Sequence, residues 1–340
     1  MITVRTPLRV TFIGGGSDYP DFFNTHMGCL VGASIDKYVY FQLLPLPKFA
    51  EQNFRFTYRT TESVDKYEDF SHPVIRELLI SRGSQFPLNM GTMSDIPGNS
   101  GLGSSSSFTV AVIRALNEFD NLPTSPESLA RKAIWLERER LNEAGGWQDQ
   151  YQAAFGGLRA YRFSRSSVDV SPPLISSETY DDLKNNFFLV KVGSSRKSSD
   201  HAEKTRRLIT EDRIRNELLE LSNLAQACHD EILRNGSHSQ SLIESLSKFT
   251  NLGWKIKKNY NPDAVPIEVD ELIEYGLKHG ASAGRLCGAG GSGFVLFIAP
   301  DSRCEELRQA LPQNLTVPIR LSKLGAEVLH SSLHTTNWEI

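Results

Sequence analysis

The 340-residue chain has only four cysteines, scattered at Cys29, Cys228, Cys287 and Cys304. No C-x-x-C pair and no histidine at ligand spacing accompanies them. That sets aside a disulfide framework and a zinc site in favour of reduced, partly buried thiols. Long apolar runs are missing as well: no segment approaches the ~20 residues that span a bilayer. The opening MITVRTPLRVTFIGGG is a strand pattern, not a signal peptide. A cytoplasmic protein without membrane partners is expected, in which the sequons at Asn235 and Asn314 go unused. An excess of one charge is lacking too. Against 37 Lys+Arg stand 40 Asp+Glu, and the net −3 favours neither nucleic acid nor anionic membrane as a partner. There is no internal repeat, no low-complexity tract and no Walker A sequence, G-x-x-x-x-G-K-[ST].

What is present is globular: 39% hydrophobic and 23% charged residues, on a length that suits two domains. Strand patterns cover 4–13, 30–46 and 54–58. Helical patterns cover 72–81, 104–119 and 126–142, the last with Ser125 as N-cap before Pro126. The stretch 164–182 is rich in Ser, Pro and Asp and reads as a domain boundary, giving domains 1–180 and 181–340. Beyond it, strands are expected at 187–192, 294–298 and 317–322, and helices at 199–234, 238–258, 269–279 and 302–311. No regular βαβ period appears, so the fold class is α+β.

The most informative segment is Pro97-Gly98-Asn99-Ser100-Gly101-Leu102-Gly103-Ser104-Ser105-Ser106, a glycine loop running into an apolar helix. Such a junction aims free backbone N–H groups and the positive helix end at one point. That suits a di- or triphosphate. Serine hydroxyls can donate to phosphate or ligate Mg²⁺, which prefers hard oxygen donors. Helix capping by Ser104 alone would not require four successive serines.

Glu137, Glu139 and Glu143 lie on a charged helix, and Asp149 follows a Gly145-Gly146 break. Phosphoryl transfer uses a cation at the phosphates and a carboxylate at the attacking hydroxyl, and this pattern can supply both. Spacing alone is served equally by a solvated acidic face with Asp149 as an N-cap. At the N-terminus, Arg9 precedes a turn of Gly14, Gly15, Gly16, Ser17 and Asp18. The glycines leave room for a ligand and Asp18 can accept from sugar hydroxyls, although a tight turn with a local Asx cap explains it as well. Ser194-Ser195-Arg196-Lys197-Ser198 offers donors to a phosphate, or is an exposed basic loop. Gly288-Ala289-Gly290-Gly291-Ser292-Gly293 spells G-x-G-x-x-G, but a strand pattern follows it where a dinucleotide fold needs a helix.

Together these segments resemble the three motifs of the GHMP kinase superfamily, in family order and across essentially the whole chain. Residues 97–107 are similar to its second motif, with Ser106 and Ser107 where alanines are usual. GGWQDQYQAAFGG is similar to the segment that carries its catalytic aspartate, and 288–293 to its third motif. The resemblance implies a two-domain fold, an N-terminal domain like ribosomal protein S5 domain 2 and a ferredoxin-like C-terminal domain. It implies ATP on Pro97, Gly98, Ser100–Ser106, with Mg²⁺ held by Ser105 and Glu139, or by Glu137 as the second choice. It implies Asp149 as general base assisted by Arg9, and the acceptor near Gly15, Gly16, Ser17, Asp18, Asp149, Arg196, Ser198, Gly290 and Gly291. The glycine triplet, GGWQDQ and the Ser-Arg loop resemble the branch that includes D-glycero-D-manno-heptose 7-phosphate kinase. A sugar phosphate is therefore the expected small-molecule partner. Fucose- or uronate-type kinases and a non-catalytic sugar sensor are the alternatives, and a homodimer is left open.

Overall fold

The computed structural model describes residues 1–47, 53–83, 86–193, 198–235, 238–261 and 265–332. Among the described residues, twelve strands form two sheets. The first contains β1 (Ile2–Ile13), β2 (Gly28–Pro45), β3 (Phe54–Thr57), β4 (Thr61–Val64), β5 (Leu88–Ser94), β6 (Leu158–Phe163), β7 (Val168–Val170) and β12 (Glu327–Ser331). Its backbone order is β12-β1-β2-β5-β3-β4, with β6 also on β2 and β7 on β6. The long β2 pairs with β1 along one edge and is shared along the other: Gly28 to Ala33 pair with β6, and Val39 to Pro45 with β5. The second sheet runs β11 (Thr316–Ile319), β8 (Phe187–Val192), β10 (Gly293–Ile298), β9 (Ala283–Leu286), all antiparallel.

The apolar runs FFLV and FVLFI explain how the second sheet sits. Phe187, Leu189, Leu296 and Ile298 face one core, and Phe188, Val190, Val295 and Phe297 face another with Trp254. Alternate side chains of a strand point to opposite faces, so both faces here are covered. Each such Phe, Leu or Ile contributes about 1.5–3 kcal/mol by leaving water. The Ser104–Phe119 helix packs on β1 and β2, and the Ser239–Tyr260 helix spans β1 and β9. That second helix carries its C-terminal residues into the space between the sheets. No helix among the described residues is long and apolar enough to cross a membrane. All four cysteines are buried and free.

Several expected elements differ in detail. The 199–234 pattern is two helices, Ser198–Thr210 and Arg215–Asn235, interrupted where Asp212 takes a positive φ of 59°. The 164–182 stretch is not bare linker, since it contains β7 and the helix Ser177–Asp182. The chain also returns at its far end: β12 pairs antiparallel with β1, Ile2 opposite Ser331. The first sheet is thus completed by residues from beyond the second.

Candidate active site

The glycine loop ends at Gly103, whose φ of 76° is left-handed, and the helix Ser104–Phe119 begins at once. No side chain caps this helix start. Ser107 is the first residue whose N–H closes a helical bond, onto the Gly103 carbonyl at 2.9 Å. The N–H groups just before it therefore remain for a ligand, at the positive end of a buried four-turn helix. Gly103 is required for a second reason. A Cβ there would sit 3.1 Å from Arg9 Cγ and 3.4 Å from Asp149 Oδ2. Gly103→Ala is expected to raise the KM for ATP at least tenfold and to lower the melting temperature, because left-handed backbone is unfavourable for alanine and the loop cannot shift freely. Kinetics and a thermal melt check both.

Arg9 and Asp149 meet directly beside this loop. Arg9 Nε donates to Asp149 Oδ1 at 2.7 Å and Nη2 to Oδ2 at 3.0 Å, a bidentate pair, while Nη1 donates to the Gly101 carbonyl at 2.6 Å. Burial alone would lower the Arg9 pKa, but the Asp149 carboxylate outweighs it and holds the guanidinium above its ordinary value. One arginine thus ties the phosphate loop to the carboxylate. Asp149 lies in the first turn of the Gln148–Phe155 helix and does not cap it, since the N-cap position is Trp147.

The two glutamates considered as metal ligands face opposite ways. Residues Trp135–Arg140 form a π-helical turn that continues the Pro126–Ile134 helix, with Leu141 N–H bonded to the Leu136 carbonyl. Two residues along such a helix point to nearly opposite sides. Glu137 turns inward and Glu139 turns outward, exposed. Glu137 Oε2 accepts from Ser106 Oγ at 2.8 Å and from Gln150 Nε2, whereas Oε1 is buried and has no partner among the described residues. Burial, reinforced by nearby Glu143, pushes the Glu137 carboxyl up to about 7. A buried carboxylate oxygen with nothing to bind, beside Ser104, Ser105 and Ser106, fits a hard divalent cation. Glu137, not Glu139, is the glutamate that can share Mg²⁺ with Ser105.

These groups share one cavity of about 670 Å³. Its wall includes Arg9, Gly15, Gly16, Asp18, Asn99, Gly101, Gly103, Ser104, Ser105, Ser106, Glu137, Gln148 and Asp149. Other expected site residues lie off it. Pro97 and Gly98 are exposed on the outer loop, and Leu102 is core. Ser100 is buried with no partner for its hydroxyl among the described residues. Ser17 is fully buried, its hydroxyl bonded to the Gly14 and Cys29 carbonyls, so it holds the turn together instead of meeting an acceptor. Asp18 reaches the wall, but its oxygens already accept from the N–H groups of Gly16 and Gln148 and from Gln148 Nε2. It clamps the N-terminal turn to the aspartate segment. Gly146 permits this, because a Cβ there would lie 2.0 Å from Asp18 Oδ2. Gly290 and Gly291 sit further along their turn, Gly291 against His201, and it is Gly288 and Ala289 that line the cavity. Arg196 lies outside the described residues, and so does the side chain of Ser198.

The G-x-G-x-x-G turn joins β9 to β10 as an antiparallel hairpin, and no helix follows it. The dinucleotide reading is thereby excluded on geometry. Sequence reasoning missed Lys257, Tyr260 and Arg285, which line the cavity from the second half of the chain. Lys257 falls in the 238–258 helical pattern beside Lys255 and Lys258, Tyr260 just past it, and Arg285 just before the glycine turn. The isolated charge of Arg285 in an otherwise uncharged stretch was the available signal.

Comparison with known proteins agrees with this geometry. A model of the GHMP kinase N-terminal domain matches residues 70–157, and a model of the GHMP kinase C-terminal region matches 240–316. A D-glycero-alpha-D-manno-heptose 7-phosphate kinase of Campylobacter jejuni is 27% identical over 91% of this chain and 93% of its own. A bifunctional fucokinase/GDP-fucose pyrophosphorylase of Arabidopsis thaliana is 24% identical over 94% of this chain and 32% of its own. The crystal structure of a D-glycero-D-manno-heptose 1-phosphate kinase from Bacteroides thetaiotaomicron superposes with a TM-score of 0.76, at 23% identity, over 97% of this chain and 99% of that one. The GHMP kinases are ATP-dependent phosphotransferases. With both of their domains present in order and their fold shared from end to end, the chain belongs to the GHMP kinase superfamily.

Proposed function

We propose that the protein transfers the γ-phosphate of ATP to the anomeric hydroxyl of D-glycero-D-manno-heptose 7-phosphate, giving the 1,7-bisphosphate and ADP. The observation that carries the reading is the Arg9–Asp149 pair set against Gly101 and Gly103, at the open start of the Ser104–Phe119 helix. The sugar follows from the relative over nine-tenths of both chains that bears this substrate in its name.

The triphosphate lies on the backbone of 101–106, where the helix dipole and free N–H groups oppose its charge. Ser105 and Glu137 would hold Mg²⁺, and the ion would supply charge neutralisation at the phosphate oxygens. Asp149 faces the acceptor hydroxyl and accepts its proton as the oxygen bonds to the γ-phosphorus and the bond to the β-phosphate bridging oxygen breaks. Arg9 fixes the orientation of that carboxylate by two hydrogen bonds, so the entropy of alignment is lost on folding and not during turnover. Asp18 and Gln148 keep the N-terminal turn docked so that the acceptor end of the cavity has a fixed shape.

A panel of free and phosphorylated sugars, coupled to ADP release, tests the proposal. The heptose 7-phosphate is expected to give a kcat/KM at least tenfold above free heptose, fucose, galactose or a uronate. A higher value for any unphosphorylated sugar overturns it.

A further inference from the structure

Two buried cations in the cavity have no role in the scheme above. Lys257 and Arg285 are 7% and 6% exposed. Lys257 comes from the Ser239–Tyr260 helix and Arg285 from β9, so both belong to the second half of the chain; Gly288, to which Lys257 is bonded, packs against Gly101 of the loop. Each is held by a backbone carbonyl: Lys257 Nζ donates to Gly288 O, and Arg285 Nη1 to Phe12 O at 2.9 Å. Arg285 Nε is buried with no partner among the described residues. Neither makes an ion pair with a carboxylate among the described residues. Of the acids that line the cavity, Asp149 is engaged with Arg9, Asp18 with backbone and Gln148, and Glu137 with Ser106 and Gln150, while Glu143 and Glu203 line it without an ion pair to Lys257 or Arg285 among the described residues. Burial, aggravated by the two cations' mutual repulsion, pushes the Lys257 amine down to about 7, and burial lowers Arg285 as well.

Two neighbouring buried cations without an anion are costly, because neither desolvation nor repulsion is offset. The arrangement makes sense if an anion arrives with a ligand. ATP already has a helix terminus, loop amides and its metal. The remaining anion is one carried by the acceptor.

We propose that Lys257 and Arg285 seat a phosphate monoester borne by the acceptor, between the Ser239–Tyr260 helix, β9 and the 14–18 turn. The lysine contributes a point charge and the arginine a planar fork, a pair suited to a dianionic phosphate. Tyr260 closes this end of the cavity over Gly16, its hydroxyl 3.6 Å from where a Cβ on that glycine would stand. The inference rests on the sugar-phosphate reading above and gives it a physical seat.

The test compares the wild-type enzyme with Lys257→Met, Arg285→Met and Arg285→Lys, on heptose 7-phosphate and on free heptose. Both Met variants are expected to raise the KM for the phosphorylated sugar about 10²-fold while leaving the KM for ATP within about threefold. Their preference over free heptose should collapse, and Arg285→Lys should restore part of it. Inorganic phosphate should raise the wild-type melting temperature in a concentration-dependent way. The Met variants should melt at the wild-type temperature or above it without phosphate, since an unpaired buried charge is gone, and should lose the phosphate shift. A fall in kcat with unchanged acceptor KM would assign the two cations to the transferred phosphoryl group and overturn the seat. Retention of the preference by both Met variants, in an enzyme that prefers the phosphorylated sugar, overturns the seat alone. A wild-type enzyme that prefers the free sugar removes the substrate reading and the seat with it.

Discussion

Asp149→Asn is expected to lower kcat about 10²- to 10⁴-fold, the range over which a positioned proton acceptor contributes. The amide occupies the same volume but cannot take the hydroxyl proton. It also leaves Arg9 with one fewer charge-assisted bond. A hydrogen bond to a charged group contributes about 1.5–3 kcal/mol, and the partial exposure of Asp149 places the loss near the lower end. The variant should therefore melt a few degrees early yet remain folded at assay temperature. ADP release measured well below that melt isolates the chemical effect. A kcat within tenfold of wild type would remove Asp149 from the reaction.

The second large effect separates two glutamates only two residues apart. Glu137→Gln should cost at least 10² in kcat/KM for Mg·ATP, whereas Glu139→Gln should stay within twofold, because Glu137 faces Ser106 inside and Glu139 faces solvent. The same group predicts a pH dependence. Its folded pKa of about 7 lies above its ordinary value of 4.5. Stability from the neutral carboxyl is thus fully present below 4.5 and lost as pH rises through about 7. A divalent ion replaces the proton, so the Mg²⁺ concentration for half-activation should fall as pH increases from 6 to 8, while the proton release per ion bound falls from nearly one to almost none. Glu137→Gln should abolish that trend. A flat Mg²⁺ requirement in wild type, or a loss confined to Glu139→Gln, would move the metal elsewhere.

How far the sequence carries can be judged from these residues. The loop 97–107 was legible because glycine spacing and a helix start are local properties, and the helix begins at Ser104 as expected. Arg9 was read as an aid to Asp149, but the bidentate contact itself was not legible, since 140 positions separate partners that tertiary structure alone brings together. Glu139 was preferred over Glu137 on its motif spacing to Asp149, whereas helical spacing from the buried Ala130, Ala133 and Ile134 carries Glu137 inward and leaves Glu139 exposed. Short strands such as β9 and β12 went unread because four or five residues hold too few alternations to set a period. Arg285 hid in the unread β9, and Lys257 among the lysines of WKIKKNY, where a solvated face is the ordinary reading.

The pairing of β1 with β12 governs how this chain must be made. Its partners, Ile2 and Ser331, lie far apart in sequence, so the β1 edge over Ile2–Arg5 stays unpaired until residues 327–331 have been made. An uncovered edge strand recruits other chains. Nascent copies on crowded ribosomes are exposed to that hazard throughout translation, and a fragment cut off before Glu327 would carry it permanently.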